Sequence, residues 1–282
     1  MAYDLMSTKT NANTPLTDEE ILSFAPAAGS DDAMPGLSKQ YAKLNTLEIV
    51  QTHRDLGWMP IHVKQKSSNS PYSAHFVRYR HVDDITRYGD KPQCFEIVDF
   101  YSHNGTMSYR KMLGMNVFAC DNGCVMGADF YQRLIHKKVT IDTVREMLER
   151  LVNRQQDADD RINAMRDVTP DRDTVRHVLE RAAALRWEPL PEYTDEPKAG
   201  TYWDERTLSD MNRMWRVEDT GSDLYTLYQR IQENLIRSPS VYVRTITEKK
   251  PYPRIRKARP INGPQADIEL NTKLYDIIEE YI

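Results

Sequence analysis

The sequence predicts an α+β fold: an antiparallel β-meander packed by helices, ordered helix-β-β-β-hairpin-helix, with a helical C-terminal region. Three observations predict it. Apolar and polar residues alternate with period two through Met59–Lys66 and Ala74–Val82, as they do in strands. Two Asn-Gly steps, Asn104-Gly105 and Asn122-Gly123, break up the stretch Cys94–Gly127. Asn-Gly between apolar runs is the strongest short-range hairpin signal, because both residues tolerate the positive φ of a type I′ turn. After the last strand the period becomes helical, with Ile141, Val144, Leu148, Leu151, Gln155, Ala158, Ile162 and Met165 on one heptad ladder.

In chain order, residues 1–40 read as a flexible segment with one short helix, started by the Thr17/Glu20 capping box and stopped by Pro26. Residues 41–187 form the sheet domain. Asn45 caps a helix over 45–56, and Gly57 stands where a C-cap belongs. Strands follow at Met59–Lys66, Ala74–Val82, Cys94–Tyr101, Thr106–Leu113 and Asn116–Cys120, with an insertion at 83–93. The heptad ladder predicts a single helix from about 140 to 166, and Thr169-Pro170 reads as the cap of the next. The acidic, proline-containing stretch 188–206 reads as a linker or surface loop. Residues 207–282 then form a helical region holding the basic segment 237–259.

Composition narrows the class. No apolar run is long enough for a membrane span. The polar N-terminus lacks a signal-peptide layout, and three cysteines do not make a disulfide framework, so a cytoplasmic protein is expected. The net charge of −4 conceals an asymmetry. Residues 237–259 hold eight Lys/Arg against Glu248, and the other 259 residues sum to −11. A basic stretch on an acidic body points to a placed polyanion contact.

Catalytic chemistry finds little support. Cys120 and Cys124 flank a tight hairpin without a second ligand pair, so they read as small strand residues and not as a zinc site. Glu96 and Asp99 sit three apart in a strand and face opposite ways, which disfavours a shared metal ion and a metal-dependent nuclease. There is no nucleophile elbow, P-loop or dinucleotide fingerprint, so neither a catalytic residue nor a cofactor is assigned. His53, His136 and His177 read as solvated, while His75 and His81 read as satisfied core or rim residues. What remains is polyanion binding. Lys64, Lys66, Arg78, Arg80, Arg110 and Lys111 are expected on a wet sheet face beside Tyr79, with Arg254, Arg256, Lys257 and Arg259 closing over a bound strand.

Ser102–Gly127, together with LNTLEIV (Leu44–Val50), AHFVRYRH (Ala74–His81), YQRIQENLIR (Tyr228–Arg237) and ARPINGPQADIELNTKLYDIIEE (Ala258–Glu280), resembles a phage and plasmid family catalogued as domain of unknown function 932. The pieces fall in family order. The departures are the 83–93 insertion and SPSVY, where a glycine-rich turn is expected after QENLIR. The resemblance implies a mobile-element origin and action inside a bacterial host, and supplies no activity. A weaker likeness, in topology alone, of this helix, strands and long helix is to the β-β-β-α core of phage and eukaryotic single-strand annealing proteins, which form rings or filaments and hold single-stranded DNA in a basic groove beside the sheet. The expected function is therefore single-stranded DNA binding by an oligomer in annealing or recombination. The alternatives are an interaction factor directed at a host or defence protein and, third, a nuclease.

Overall fold

The computed structural model describes residues 14–65, 70–86, 93–117, 122–125, 130–137, 139–191, 198–261 and 264–282. These fall into two units, one running to Asp157 and the other covering Ala158–Ile282. The boundary thus lies well before the linker that the prolines of 188–206 predict.

In the first unit, α1 (Asp18–Phe24) starts at the expected capping box: Glu20 N–H donates to Thr17 Oγ1 and Thr17 N–H to Glu20 Oε2. α2 (Thr46–Asp55) is capped by Asn45, whose Oδ1 accepts from the Leu47 and Glu48 amides. It ends before Gly57, at φ +81°, where a Cβ would also lie 2.8 Å from the His81 ring. Glycine meets both demands. Asn45→Ala is expected to cost about 1 kcal/mol by orphaning two amides, read as a lower urea midpoint.

The strands follow the predicted alternation. β1 (Trp58–Gln65), β2 (His75–His81), β3 (Gln93–Tyr101) and β4 (Tyr109–Val117) form an antiparallel meander, with the short helix α3 (Val82–Thr86) after β2. β5 (Asn122–Val125) and β6 (Tyr131–Leu134) both pair with β4. Gly105 lies in the β3–β4 connection at φ +73°, but Asn104 does not share the positive φ of the predicted type I′ turn, and the connection spans residues 102–108. The second step behaves differently. Asn122 and Gly123 are strand residues opposite Val117 and Asn116, and residues 118–121 lie outside the described residues.

Register puts Val77, Asp99 and Lys111 side by side on one sheet face, with Tyr79, Ile97 and Leu113 in the neighbouring row. α2 covers that face, its His53 ring stacked on Tyr79 at 3.8 Å. The other face carries Phe76, Phe100 and Arg110 in one row and Arg78, Val98 and Met112 in the next, all buried.

The heptad ladder does not make one helix. α4 (Ile141–Val152) stops at Asn153, and α5 (Gln155–Asp167) begins two residues later, with the unit boundary in its first turn. Asn153 N–H reaches back to both Glu149 and Leu151, and Arg154 N–H to Leu151, a tightening that ends the α-helical ladder. Val144, Leu148, Leu151, Ala158, Ile162 and Met165 are buried nonetheless.

The second unit packs α6 (Arg172–Ala184) against α7 (Glu205–Met211), α8 (Leu224–Arg237) and α9 (Pro264–Glu279). α6 is capped by Asp171, which accepts from Thr174 N–H at 2.8 Å, and not by Thr169. The expected linker contains β7 (Glu188–Pro189) and β8 (Gly200–Trp203), which pair in parallel. β9 (Tyr242–Thr247) and β10 (Lys250–Lys257) complete a sheet ordered β10-β9-β8-β7, so the basic segment is a hairpin arm and not part of a helical tail. Ser238 takes the left-handed conformation (φ 49°) that closes α8, where a glycine is expected, and its N–H donates to Asn234 O.

Candidate nucleic-acid interface

The cations predicted for a wet sheet face are mostly buried, and each is placed by strand register. Arg78 and Arg80 project from β2 onto Glu96 of β3. Arg78 donates to Oε2 at 2.9 and 2.6 Å, and Arg80 to Oε1 at 3.2 and 2.6 Å. The three side chains are at most 5% exposed. Arg110 is buried on the same face, opposite Phe100 and Arg133. Lys64 is half-buried at the partner position of Phe76, and Lys66 lies outside the described residues. The expectation fails because that face interleaves its charges with Phe76, Val98, Phe100 and Met112. Those alternate apolar positions were the sequence signal for a packed face.

Tyr79 and Lys111 belong to the opposite face, under α2, in a buried polar network that leaves Asp99 Oδ1 without a partner among the described residues. His53 Nδ1 faces the Ile49 carbonyl at 2.8 Å and must donate to it, leaving Nε2 as an acceptor. The Lys111 ammonium donates to that nitrogen at 2.6 Å and to Asp99 Oδ2 at 2.8 Å. Tyr109 and Tyr101 donate to the same carboxylate oxygen at 2.7 and 3.1 Å, and Tyr79 in turn donates to Tyr101 at 2.9 Å. The 3.3 Å approach of His53 Nε2 to Asp99 is then two acceptors bridged by one ammonium, not an ion pair. Burial holds His53 down to about 3, with the Lys111 charge adding to it. Burial also lowers Lys111 to about 8, against the pull of Asp99. His53, expected to be solvated, is therefore a neutral core residue.

These carboxylates are spoken for. Glu96 and Asp99 face opposite sides as the spacing predicts, one clamped by two guanidinium groups and the other by an ammonium. Among the described residues no His/Cys/Asp/Glu group could hold a metal ion. Cys94 is buried, and Cys120 and the Cys124 side chain lie outside the described residues. Lys111→Met is expected to destabilise the first unit by about 3–5 kcal/mol, because it strands the Asp99 charge in the core. Combining it with Asp99→Asn should recover part of that loss in chemical denaturation.

The remaining candidates come together on β10. All eight of its residues are exposed, and it forms the outer edge of its sheet. Arg254 and Arg256 share one strand face, Ile255 and Lys257 the other, and a register shift between Lys250 and Arg254 bends the edge. Arg259 follows, also exposed. The side chains of Lys250, Arg254, Arg256, Lys257 and Arg259 form no ion pair or hydrogen bond among the described residues, in contrast to Arg244 of β9, held by Asp204 at 2.5 Å. Tyr252, 72% exposed, stands between these cations. Sequence reasoning found the charges and missed the edge strand, placing residues 237–259 in a helical region although Pro251 and Pro253 stand in it. An edge strand accepts proline because its outer N–H groups need no ladder partner.

A family model described as "Domain of unknown function (DUF932)" matches residues 35–274. The chain is similar to two proteins of Escherichia coli (strain K12), "UPF0380 protein YfjQ" and "UPF0380 protein YafZ". Each is 26% identical over 270 residues, covering 94% of this chain and 91% of the relative. No solved structure matches the chain.

Proposed function

The chain belongs to the DUF932 family, and we propose that it binds single-stranded nucleic acid through the β9–β10 arm. The observation that carries this reading is the edge strand β10, exposed along its length, with cations that no carboxylate among the described residues claims. Unpaired Lys and Arg along an extended edge suit a phosphate backbone, and an aromatic ring among them offers a stacking platform for an unpaired base. Tyr252 is that ring.

Annealing or recombination by an oligomer is the role that fits, on the strength of the helix, antiparallel sheet and helix order of the first unit. A bacterial cytoplasm is the proposed setting, in keeping with the bacterial organism of the relatives. No helix among the described residues is long and apolar enough to cross a membrane.

The test is an anisotropy titration at low salt with a fluorescein-labelled single-stranded oligonucleotide and its duplex, alongside sedimentation with and without the single strand. Tighter binding of the single strand and a larger assembly in its presence are expected. No binding at low salt, or equal affinity for the duplex, overturns the reading.

A further inference from the structure

The second unit contains a groove of about 600 Å³ between α6 and α7, apart from the β10 edge. Val175, Leu179 and Leu208 contribute its apolar lining, and Arg172, Arg176 and Arg213 its cations. Val175 and Leu179 stand one helical turn apart on α6, and so do Arg172 and Arg176, giving an apolar row beside a basic one. Among the described residues Glu205 is the one carboxylate on the lining, and Arg176 already holds it. Arg172 makes no hydrogen bond or ion pair among the described residues. The Asn212 Oδ1 on the wall is buried and unpartnered among them.

The groove runs out onto an apolar loop, Met214, Trp215 and Val217, which are 53%, 40% and 82% exposed. That loop is held in place. Asn234 of α8 donates to the Met211 and Arg213 carbonyls and accepts from Trp215 Nε1 at 2.9 Å. Arg216 is forked onto Glu233 at 2.9 and 2.6 Å. Three large apolar side chains kept in water by a braced loop, next to an arginine-rimmed groove, form a preorganised docking surface.

We propose that this groove binds an acidic amphipathic helix of a partner protein. The helix would lay its apolar stripe on Val175, Leu208 and Met214 and face its carboxylates to Arg172, Arg213 being already held by Asp210 at 2.7 Å. Charge complementarity selects this occupant: the rim repels a basic segment, and an apolar segment without acids leaves the free guanidinium of Arg172 unanswered. None of this depends on nucleic-acid binding by β10.

The probe is a fluorescein-labelled helical peptide of about 15 residues, roughly four turns, with leucines at i, i+3, i+4 and i+7 and glutamates elsewhere. Saturable binding to the full chain is expected. R172E should weaken it by about tenfold, and M214E should weaken it independently, with circular dichroism unchanged in both. A peptide of the same composition with scattered leucines should not saturate. The proposal is overturned if the patterned peptide fails to saturate or binds no better than the scattered one. It is equally overturned if the groove variants bind normally, or if R254E/R256E on β10 weakens binding as much as they do.

Discussion

Reversing Arg254, Arg256 and Lys257 to glutamate together is expected to abolish single-strand binding at physiological salt. The milder triple alanine variant should show why. For single strands each neutralised phosphate contributes a slope of about −0.7 in log K against log salt, so three lost contacts lower the slope by about 2. At 0.1 M salt that is a loss of roughly 100-fold, converging on the parent as salt approaches 1 M. Tyr252→Ala should behave in the opposite way. Loss of a stacking ring costs about 1–3 kcal/mol, and it should leave the salt slope unchanged. The competing explanation for a basic edge strand is protection: lysine and arginine keep one edge from pairing with another. Under that explanation the triple alanine variant gains self-association and its oligonucleotide affinity does not move. Sedimentation and anisotropy on the same variant separate the two. The folded state should tolerate these changes, since none of the three side chains is paired among the described residues and β10 is exposed throughout.

Much of the fold was legible because it rests on local chemistry. Thr17/Glu20, Asn45, Gly57 and Asn104-Gly105 act within a few residues of themselves, and all four mark real boundaries. Long-range readings fared differently. The ladder from Ile141 to Met165 keeps its period across Asn153, so a two-residue break is invisible to periodicity, although six of its eight rungs stay buried. Alternation fixed which residues share a face of the sheet, and Glu96 and Asp99 fell on opposite sides accordingly. Alternation cannot say whether a face is wet. Arg78, Arg80 and Glu96 look like solvent residues one at a time, and only register shows two guanidinium groups converging on one carboxylate. Arg110 and Lys111 are neighbours in a strand and so could never have shared a face, a conclusion available from the sequence alone. The cationic character of 237–259 was legible, while its fold as a hairpin was hidden by prolines that an edge position tolerates.

The first unit should unfold in mild acid. Burial drives His53, His62 and His103 down to about 3 and His75 to about 4, so all four are neutral in the folded state near neutrality. In the unfolded chain each returns to about 6.5. Between these limits the unfolded state holds protons that the folded state refuses, so stability is complete above pH 6.5 and is lost as pH falls toward 4. Each histidine then costs up to about 1.4 kcal/mol per pH unit, and four together roughly 5, against a total stability of about 5–15 kcal/mol for an ordinary domain. The geometry leaves no easy refuge. Protonating His53 places a second cation against the Lys111 ammonium, 2.6 Å away. His75 donates from Nδ1 to Ser73 O and accepts the Thr46 hydroxyl at Nε2, so a proton there displaces that bond. His62 faces the charges of Arg78 and Lys64, and His103 those of Lys43 and its histidine neighbours. Urea denaturation followed by circular dichroism at pH 7, 6, 5 and 4 should show a midpoint falling steeply below about pH 6. His62→Gln, which has no charge to gain, should flatten that fall by one histidine's share. A midpoint independent of pH from 7 to 5 would mean that these rings take up protons without leaving the core, and the buried network around Asp99 and Lys111 would then have to open in the native state.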